Sequence, residues 1–358
     1  MLNPSHKPIA LDLFCGSGAV SLGLKRAGFR VVGAVDFDPG ACQTYRSNHP
    51  EVRLIQEDIR KVKANQFADV ITDKLDLLVV CAPCQPFSSQ NRHKHDGDGR
   101  RGLVEQSKKF IRFYKPSLVF LENVPGLAAT KNFENYRRWL TKNGYQVSEP
   151  IKVDAANLGV AQRRCRIILI AAKGVPLAMA VDLCQRRKVT VQKMIGGLPV
   201  PPVGRASAGK DPLHYARKHS ELNIERLSHI PADGGSRDSL PPHLQLACHS
   251  KAGKKGAFSD TYGRMRWAGV APTLTTGCTD FTRGRYAHPV QNRAITLREA
   301  ARLQSFPDSY VFHGNASQIA MQIGNAVPPA MMRTIARSLM AALRHNKFSH
   351  HSKPDVFN

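Results

Sequence analysis

"IALDLFCGSGAVSLGLKRAGFRVVGAVDFD", residues 9–38, decides the fold. It opens on a short apolar run, "IALDLF" (9–14), which reads as a buried strand. "SGAVSLGLKRAG" (17–28) then spaces its apolar residues as a helix does and meets Gly28 near its end. "RVVGAVD" (30–36) is a second apolar run. Strand, glycine turn, helix, strand is the unit from which parallel sheets are built.

The unit recurs down the first half of the chain. A helix is expected over 39–49, with Pro39 at its start. Strands follow at 52–56 and 75–81, a helix at 104–115, a strand at 117–124 and a helix at 134–144 closed by Gly144. "YQVSEPIKVDA" (145–155) and "RCRIILIAA" (164–172) read as two more strands. The expected fold is therefore α/β, a doubly wound, Rossmann-like sheet. The rhythm stops near Val175. Residues 176–288 are rich in Gly, Pro, His and basic residues, without a period, and predict a second, smaller, loop-rich domain. Helical spacing returns at 296–306 and 328–346. The expected division is 1–175, 176–288, a return segment with C-terminal helices over 289–346, and a flexible tail at 347–358. No internal repeat is visible.

Lys and Arg number 52 against 27 Asp and Glu, a formal charge of +25. Such an excess points to a polyanionic partner. With 42% hydrophobic residues the chain can build a core, so global disorder is excluded. Its eight cysteines are scattered, with one closely spaced pair. A reduced, cytoplasmic protein is expected. There is no apolar run long enough for a membrane span, so no membrane partner is expected.

Gly16 and Gly18 lie at the first strand-to-helix turn, where glycines let a ligand approach the backbone. Asp36 and Asp38 end the second strand, placed for ribose hydroxyls, and Asp58 follows the third strand in the same way. Ser21 stands where a dinucleotide fingerprint wants its third glycine. An adenosine-bearing cofactor is expected, and a nicotinamide enzyme is disfavoured.

"CAPCQPFSSQ" (81–90) holds the close cysteine pair. Cys81 continues an apolar strand and reads as core. Cys84 lies just beyond the strand's C-terminal end, where this fold carries reactive groups. A redox pair would want a helix N-terminus at once, and Pro86 argues against it. A zinc site would want a second pair, which is absent. No metal is expected.

Pro83-Cys84-Gln85-Pro86-Phe87-Ser88 resembles the catalytic motif of the cytosine-C5 DNA methyltransferases. It arrives in the family's order, after "DLFCGSG" (12–18) and before "ENV" (122–124), "QRRCR" (162–166), "LREAARLQSFPDSY" (297–310) and "QIGNAVPP" (322–329). The resemblance spans nearly the whole chain. It implies a catalytic and cofactor-binding domain over 1–175, a target recognition domain over 176–288, S-adenosylmethionine as methyl donor and S-adenosylhomocysteine as product. It also implies double-stranded DNA as partner and a bacterial, nucleoid-associated modification enzyme acting as a monomer, with a cognate restriction endonuclease for the same site.

By that resemblance Cys84 is the nucleophile that adds to C6 of a flipped-out cytosine, because C5 alone is too weak to attack a methyl sulfonium. Glu122 would hydrogen-bond or protonate N3, which requires a pKa raised by burial. Asn123 would orient the loop. Arg166 would contact O2, with Arg164 and Gln85 beside the base. The implied cofactor contacts are Asp12, Phe14, Cys15, Gly16, Gly18, Asp36, Phe37, Asp58, Ile59, Pro83, Asn325 and Val327. The implied DNA contacts are Ser88, Arg92, Arg100, Arg101, Arg163, Thr275 and Thr276. The polar stretch 88–102 reads as a lid over the extruded base. Between 176 and 288 the basic residues, Arg217, Arg237, Arg264 and Arg266 among them, are expected mostly on phosphates. Two other readings stay open: an RNA cytosine methyltransferase of the same fold, and a non-catalytic DNA-binding relative.

Overall fold

The computed structural model describes residues 7–83, 99–205, 209–246 and 260–349. In chain order its strands and α-helices are β1 (Ile9–Leu13), α1 (Ala19–Ala27), β2 (Arg30–Asp36), α2 (Pro39–Asn48), β3 (Arg53–Gln56), β4 (Leu77–Val80), α3 (Ser107–Tyr114), β5 (Leu118–Asn123), α4 (Lys131–Lys142), β6 (Gln146–Val147), β7 (Ile151–Asp154), β8 (Cys165–Ala172), α5 (Leu177–Val181), α6 (Val191–Ile195), α7 (Glu221–Ser228), α8 (Leu297–Leu303), α9 (Ala316–Asn325) and α10 (Pro329–Ser349). They form two compact units. The first comprises Met1–Leu158, Cys165–Arg186 and Val327–Asn358; the second comprises Gly159–Arg164 and Arg187–Ala326. The division passes through "QRRCR", and residues 289–326 group with the second unit.

The first unit holds a mixed sheet of order β3-β2-β1-β4-β5-β8-β6, with β7 also on β8. β1 to β5 pair in parallel. β8 is antiparallel to β5, β6 and β7. The reason for the reversal is local: no α-helix separates β6, β7 and β8, and without a crossover helix successive strands pair antiparallel. The central strands β1, β4 and β5 are buried at every position, as in a sheet covered on both faces. That explains why they read as unbroken apolar runs. Strand order reverses between β1 and β4. In such sheets this switch point is where ligands bind, at the carboxyl ends of the strands.

Helices α1 and α10 pack against each other, and α1 also lies on β1 and β2. Gly23 makes the approach close: a Cβ there would lie 2.6 Å from Met332 Cβ and 2.8 Å from the Pro329 carbonyl oxygen. Gly28 and Met340 meet further along, so the two helices run parallel.

The second unit matches the loop-rich expectation. Among its described residues it contains short helices, 3-10 turns and isolated bridges. Leu227, Ile230, Leu240, Leu244, Tyr262, Phe281, Ala287 and Ala294 form one of its cores. Thr296 and Glu299 cap α8 reciprocally, and Glu299 also holds Arg293 through two hydrogen bonds of 2.7 Å. No helix among the described residues is long and apolar enough to cross a membrane.

Candidate active site

The loop after β1 turns sharply because three of its residues are left-handed: Phe14 (φ 62°), Gly16 (φ 51°) and Gly18 (φ 92°). The Gly16 amide donates to Asp36 Oδ2 at 2.8 Å, and the Asp38 amide donates to Asp36 Oδ1 at 3.0 Å. One carboxylate thus ties the first two strand-end loops together. Burial raises the Asp36 pKa, opposed by these backbone donors. No heavy atom lies within 4 Å of where a Gly16 Cβ would sit, so this turn presents bare backbone to open space. Phe37, next to Asp36, is 64% exposed, an unusual position for a large aromatic. Asp38, expected beside Asp36 as a ribose ligand, instead caps α2: its Oδ1 accepts from the Ala41 amide at 2.7 Å.

Beneath the loop Asp12 is fully buried. Its Oδ2 accepts from Ser21 Oγ at 2.7 Å, and Ser21 Oγ also shares a 2.7 Å hydrogen bond with Tyr45 OH. Asp12 Oδ1 has no hydrogen-bond partner among the described residues. Burial lifts the Asp12 pKa to about 7. Ser21 therefore has a use where a dinucleotide fold would place glycine. The departure from that fingerprint was the available signal for it; nothing local pointed to Tyr45. Cys15 is buried, and burial holds its thiol well above the usual range. Asp58 is engaged by Arg60, which pulls its pKa down to about 2. The Ile59 side chain is buried in the core, and its carbonyl accepts from Lys109 Nζ. Pro83, half-buried, is the last described residue after β4.

At the end of β5 lies Glu122, 6% exposed. Its Oε1 is 3.1 Å from Arg166 Nε on β8. Asn123 Nδ2 donates to the Ala82 carbonyl at 3.1 Å, so β5 holds the segment leaving β4. Burial, and next the Glu122 charge, push the Cys81 thiol well above its usual pKa, which keeps it protonated and inert. Cys84, Gln85, Ser88, Arg92 and most of the expected lid lie outside the described residues, as do the side chains of Arg100 and Arg101.

In the second unit Arg163 is exposed and Arg164 is 3% exposed, with Nη1 donating to the Leu274 carbonyl at 3.3 Å. Gln162, the first residue of the "QRRCR" motif and given no role of its own by sequence, clamps the same segment: Oε1 accepts from the Leu274 amide, and Nε2 donates to Gln304 Oε1. Thr275 is half-buried and bonded to Tyr286 OH, while Thr276 is exposed. Gly324 lets α9 lie on their backbone, because a Cβ would sit 2.5 Å from the Thr275 carbonyl carbon. Asn325 is exposed at the end of α9; Val327, in the first unit, is buried. Arg264 does not serve phosphate. It is 2% exposed and donates to the carbonyls of Leu227, Ile230, His288 and Gln291. Arg217 pairs with Asp280, and Arg237 bonds Thr261.

A bare glycine turn, an exposed aromatic and a buried Glu–Arg pair thus share the carboxyl edge of one sheet. The family model for C-5 cytosine-specific DNA methylase matches residues 10–341. The chain belongs to that family. As a C5 cytosine methyltransferase it acts on DNA, and the family's methyl donor is S-adenosylmethionine. It is similar to the Type II methylase M.HgiDII of Herpetosiphon aurantiacus, 36% identical over 92% of this chain and 94% of that protein. It is also similar to the Type II methyltransferase M.XorII of Xanthomonas oryzae pv. oryzae, 32% identical over 94% of this chain and 86% of the other. A crystal structure of a prophage-encoded E. coli protein superposes with TM-score 0.73 at 25% identity, covering 94% of this chain and all of that one. The fold is shared with S. pombe Dnmt2 methyltransferase (TM-score 0.62, 16% identity, 96% and 100% covered).

The methyltransferase's own residues fit the donor. The open backbone at Gly16 leaves room for it, Phe37 is an exposed aromatic beside Asp36, and Asp12 Oδ1 is a buried oxygen with no hydrogen-bond partner among the described residues.

Proposed function

We propose that Cys84, Glu122 and Arg166 carry out covalent C5 methylation of an extruded cytosine in a specific short duplex sequence. The observation that supports this is the buried Glu122–Arg166 pair at the end of β5, beside the β4 exit that Asn123 holds. Cys84 follows Pro83 directly in sequence. S-adenosylmethionine supplies an electrophilic methyl group when bound. The Cys84 thiolate adds to C6, and the ring's electron pair is displaced toward N3, where Glu122 delivers a proton. C5 becomes enamine-like and forms the new carbon–carbon bond. A water molecule then removes the C5 proton, the pair from that C–H bond forms the C5=C6 double bond and expels the Cys84 thiolate, and N3 returns its proton to Glu122. Arg166 moves its guanidinium from Glu122 toward O2 as the base enters, which polarises the ring and frees the carboxyl for its proton. Gln85 and Arg164 support the base.

Asp12, Phe14, Cys15, Gly16, Gly18, Asp36, Phe37, Pro83, Asn325 and Val327 hold the cofactor, leaving S-adenosylhomocysteine behind. Asp58 and Ile59 serve mainly through backbone groups, since the Asp58 carboxylate is paired and the Ile59 side chain is buried. Ser88, Arg92, Arg100, Arg101, Arg163, Thr275 and Thr276 contact DNA. The division into catalytic, recognition and return segments is part of the same reading. The same reading makes the protein a monomeric modification enzyme of a bacterial restriction–modification system, with an endonuclease for the same site; its similarity to Type II methyltransferases supports the modification role. Cys84→Ser should abolish 5-methylcytosine in bisulfite sequencing of DNA from expressing cells. Duplex DNA carrying 5-fluorocytosine should trap the wild-type protein covalently, because fluorine cannot leave C5 as the proton does. Trapping of Cys84→Ser at the wild-type level would refute the assignment.

A further inference from the structure

Helix α10 carries no acidic residue. Among its described side chains, Arg333, Arg337, Ala341, Arg344 and His345 are exposed. At about 1.5 Å per residue the three arginines stand roughly 6 and 10 Å apart along the axis, within about 40° of one another around it. Arg26 of α1, also exposed, is close enough to Arg333 for their charges to repel. Arg337 and Arg186 both line a cleft of about 260 Å³, together with Thr334 and Ser338. The cleft holds one carboxylate, Asp182, whose backbone carbonyl accepts from Ser338 Oγ and whose side chain forms no ion pair among the described residues. Arg26, Arg186, Arg333, Arg337 and Arg344 likewise form none.

Five arginines on α1, α10 and the segment after α5, none ion-paired among the described residues and with one carboxylate beside them, leave an excess of positive charge on this face that an external anion would offset. α1 runs from the Gly16–Gly18 turn at the carboxyl edge back toward the start of β2. The arginines lie along this face of the first unit, not at the strand ends that carry Glu122 and Asp36. We propose that this face is a second DNA-contact surface, which binds the phosphate backbone of duplex DNA without regard to sequence and seats one phosphate between Arg186 and Arg337. Guanidinium groups suit this because they bind phosphate oxygens in pairs. Duplex DNA is the favoured occupant because the enzyme's substrate is itself this polyanion and the chain's charge is +25. Such a contact would hold the protein on DNA while the target is sought.

The test is the salt dependence of binding to a short duplex of mixed sequence, followed by fluorescence anisotropy. Each phosphate neutralised contributes about −0.9 to the slope of log K against log salt. The combined Arg26→Gln, Arg333→Gln, Arg337→Gln variant should therefore show a slope shallower by about 2.7. The matching triple Lys variant should stay near wild type. All three side chains are exposed, so the melting temperature should not fall. If the triple variant melts early, the single substitutions are read instead, each expected to remove about 0.9 from the slope. An unchanged slope in the Gln variant, or equal losses in the Gln and Lys variants, would overturn the proposal. So would loss of binding confined to single-stranded RNA or to phosphatidylserine vesicles.

Discussion

Glu122 and Arg166 meet across an antiparallel strand pair. Glu122 stands opposite Ile168, and Arg166 lies two residues before Ile168, on the same face of β8. Their contact of 3.1 Å is largely withdrawn from solvent. A buried pair of this kind is weak evidence for stability, because desolvation offsets attraction. Its value here is positional. The antiparallel register, and not proximity in sequence, brings an acid and a guanidinium to one point at the edge of the sheet.

Removing either function should cost turnover without unfolding the protein. Glu122→Gln keeps the shape and removes the transferable proton, so kcat should fall by about 10²–10⁴-fold. Arg166→Lys keeps the charge and loses the planar fork, with an expected loss of about 10²-fold. Single-turnover transfer of labelled methyl groups to unmodified DNA measures both. Activity of Glu122→Gln within a factor of two or three of wild type would exclude the carboxyl as proton donor.

Phe37 should matter to the cofactor and not to the fold. It is 64% exposed, so Phe37→Ala removes little packing. Stacking of an aromatic on a base is worth about 1–3 kcal/mol, so donor affinity should fall roughly 5- to 150-fold. Calorimetric titration with S-adenosylhomocysteine reads this directly, with an unchanged melting temperature as the control.

The strands of the first unit were legible because burial on both faces turns them into plain apolar runs, as in β1, β4 and β5. The antiparallel turn of β8 was not, since strand direction depends on which connection lacks a helix. Asp36 and Asp38 look alike in sequence, yet one ties two loops and the other caps a helix. Arg166 and Arg264 likewise share a residue type. One faces Glu122; the other is a buried hub for carbonyl groups. Which role an arginine takes is fixed by contacts distant in the chain, and local pattern carries no trace of them.

Gly324 marks a place where the second unit has no slack. A Cβ there would lie 2.5 to 2.7 Å from the Thr275 carbonyl carbon and oxygen and the Thr276 amide nitrogen, all backbone atoms that cannot rotate away. Gly324→Ala should destabilise by about 1–3 kcal/mol through forced backbone shifts. Urea denaturation should show a lower midpoint. An unchanged midpoint would mean that α9 can move off the 275–276 segment freely.

Asp12 gives a pH signature whose sign can be worked out. Its pKa rises from 3.8 to about 7 on folding, because burial penalises the anion. Between those values the native state keeps a proton that the unfolded chain has lost. Its contribution to stability is therefore full below pH 3.8, declines as pH rises, and is lost through pH 7. At 1.36 kcal/mol per pH unit the decline is on the order of 4 kcal/mol. His49 and His288 act oppositely. Burial lowers both to about 4, so their contributions grow as pH rises from there toward 6.5. The total profile mixes these trends, and the difference between wild type and Asp12→Asn isolates the carboxyl. Asparagine keeps the acceptor for Ser21 and does not ionise, so Asp12→Asn should gain stability relative to wild type as pH rises from 4 to 7. Chemical denaturation across that range checks it. A difference that is flat, or that slopes the other way, would show that Asp12 is already ionised in the folded protein at acidic pH.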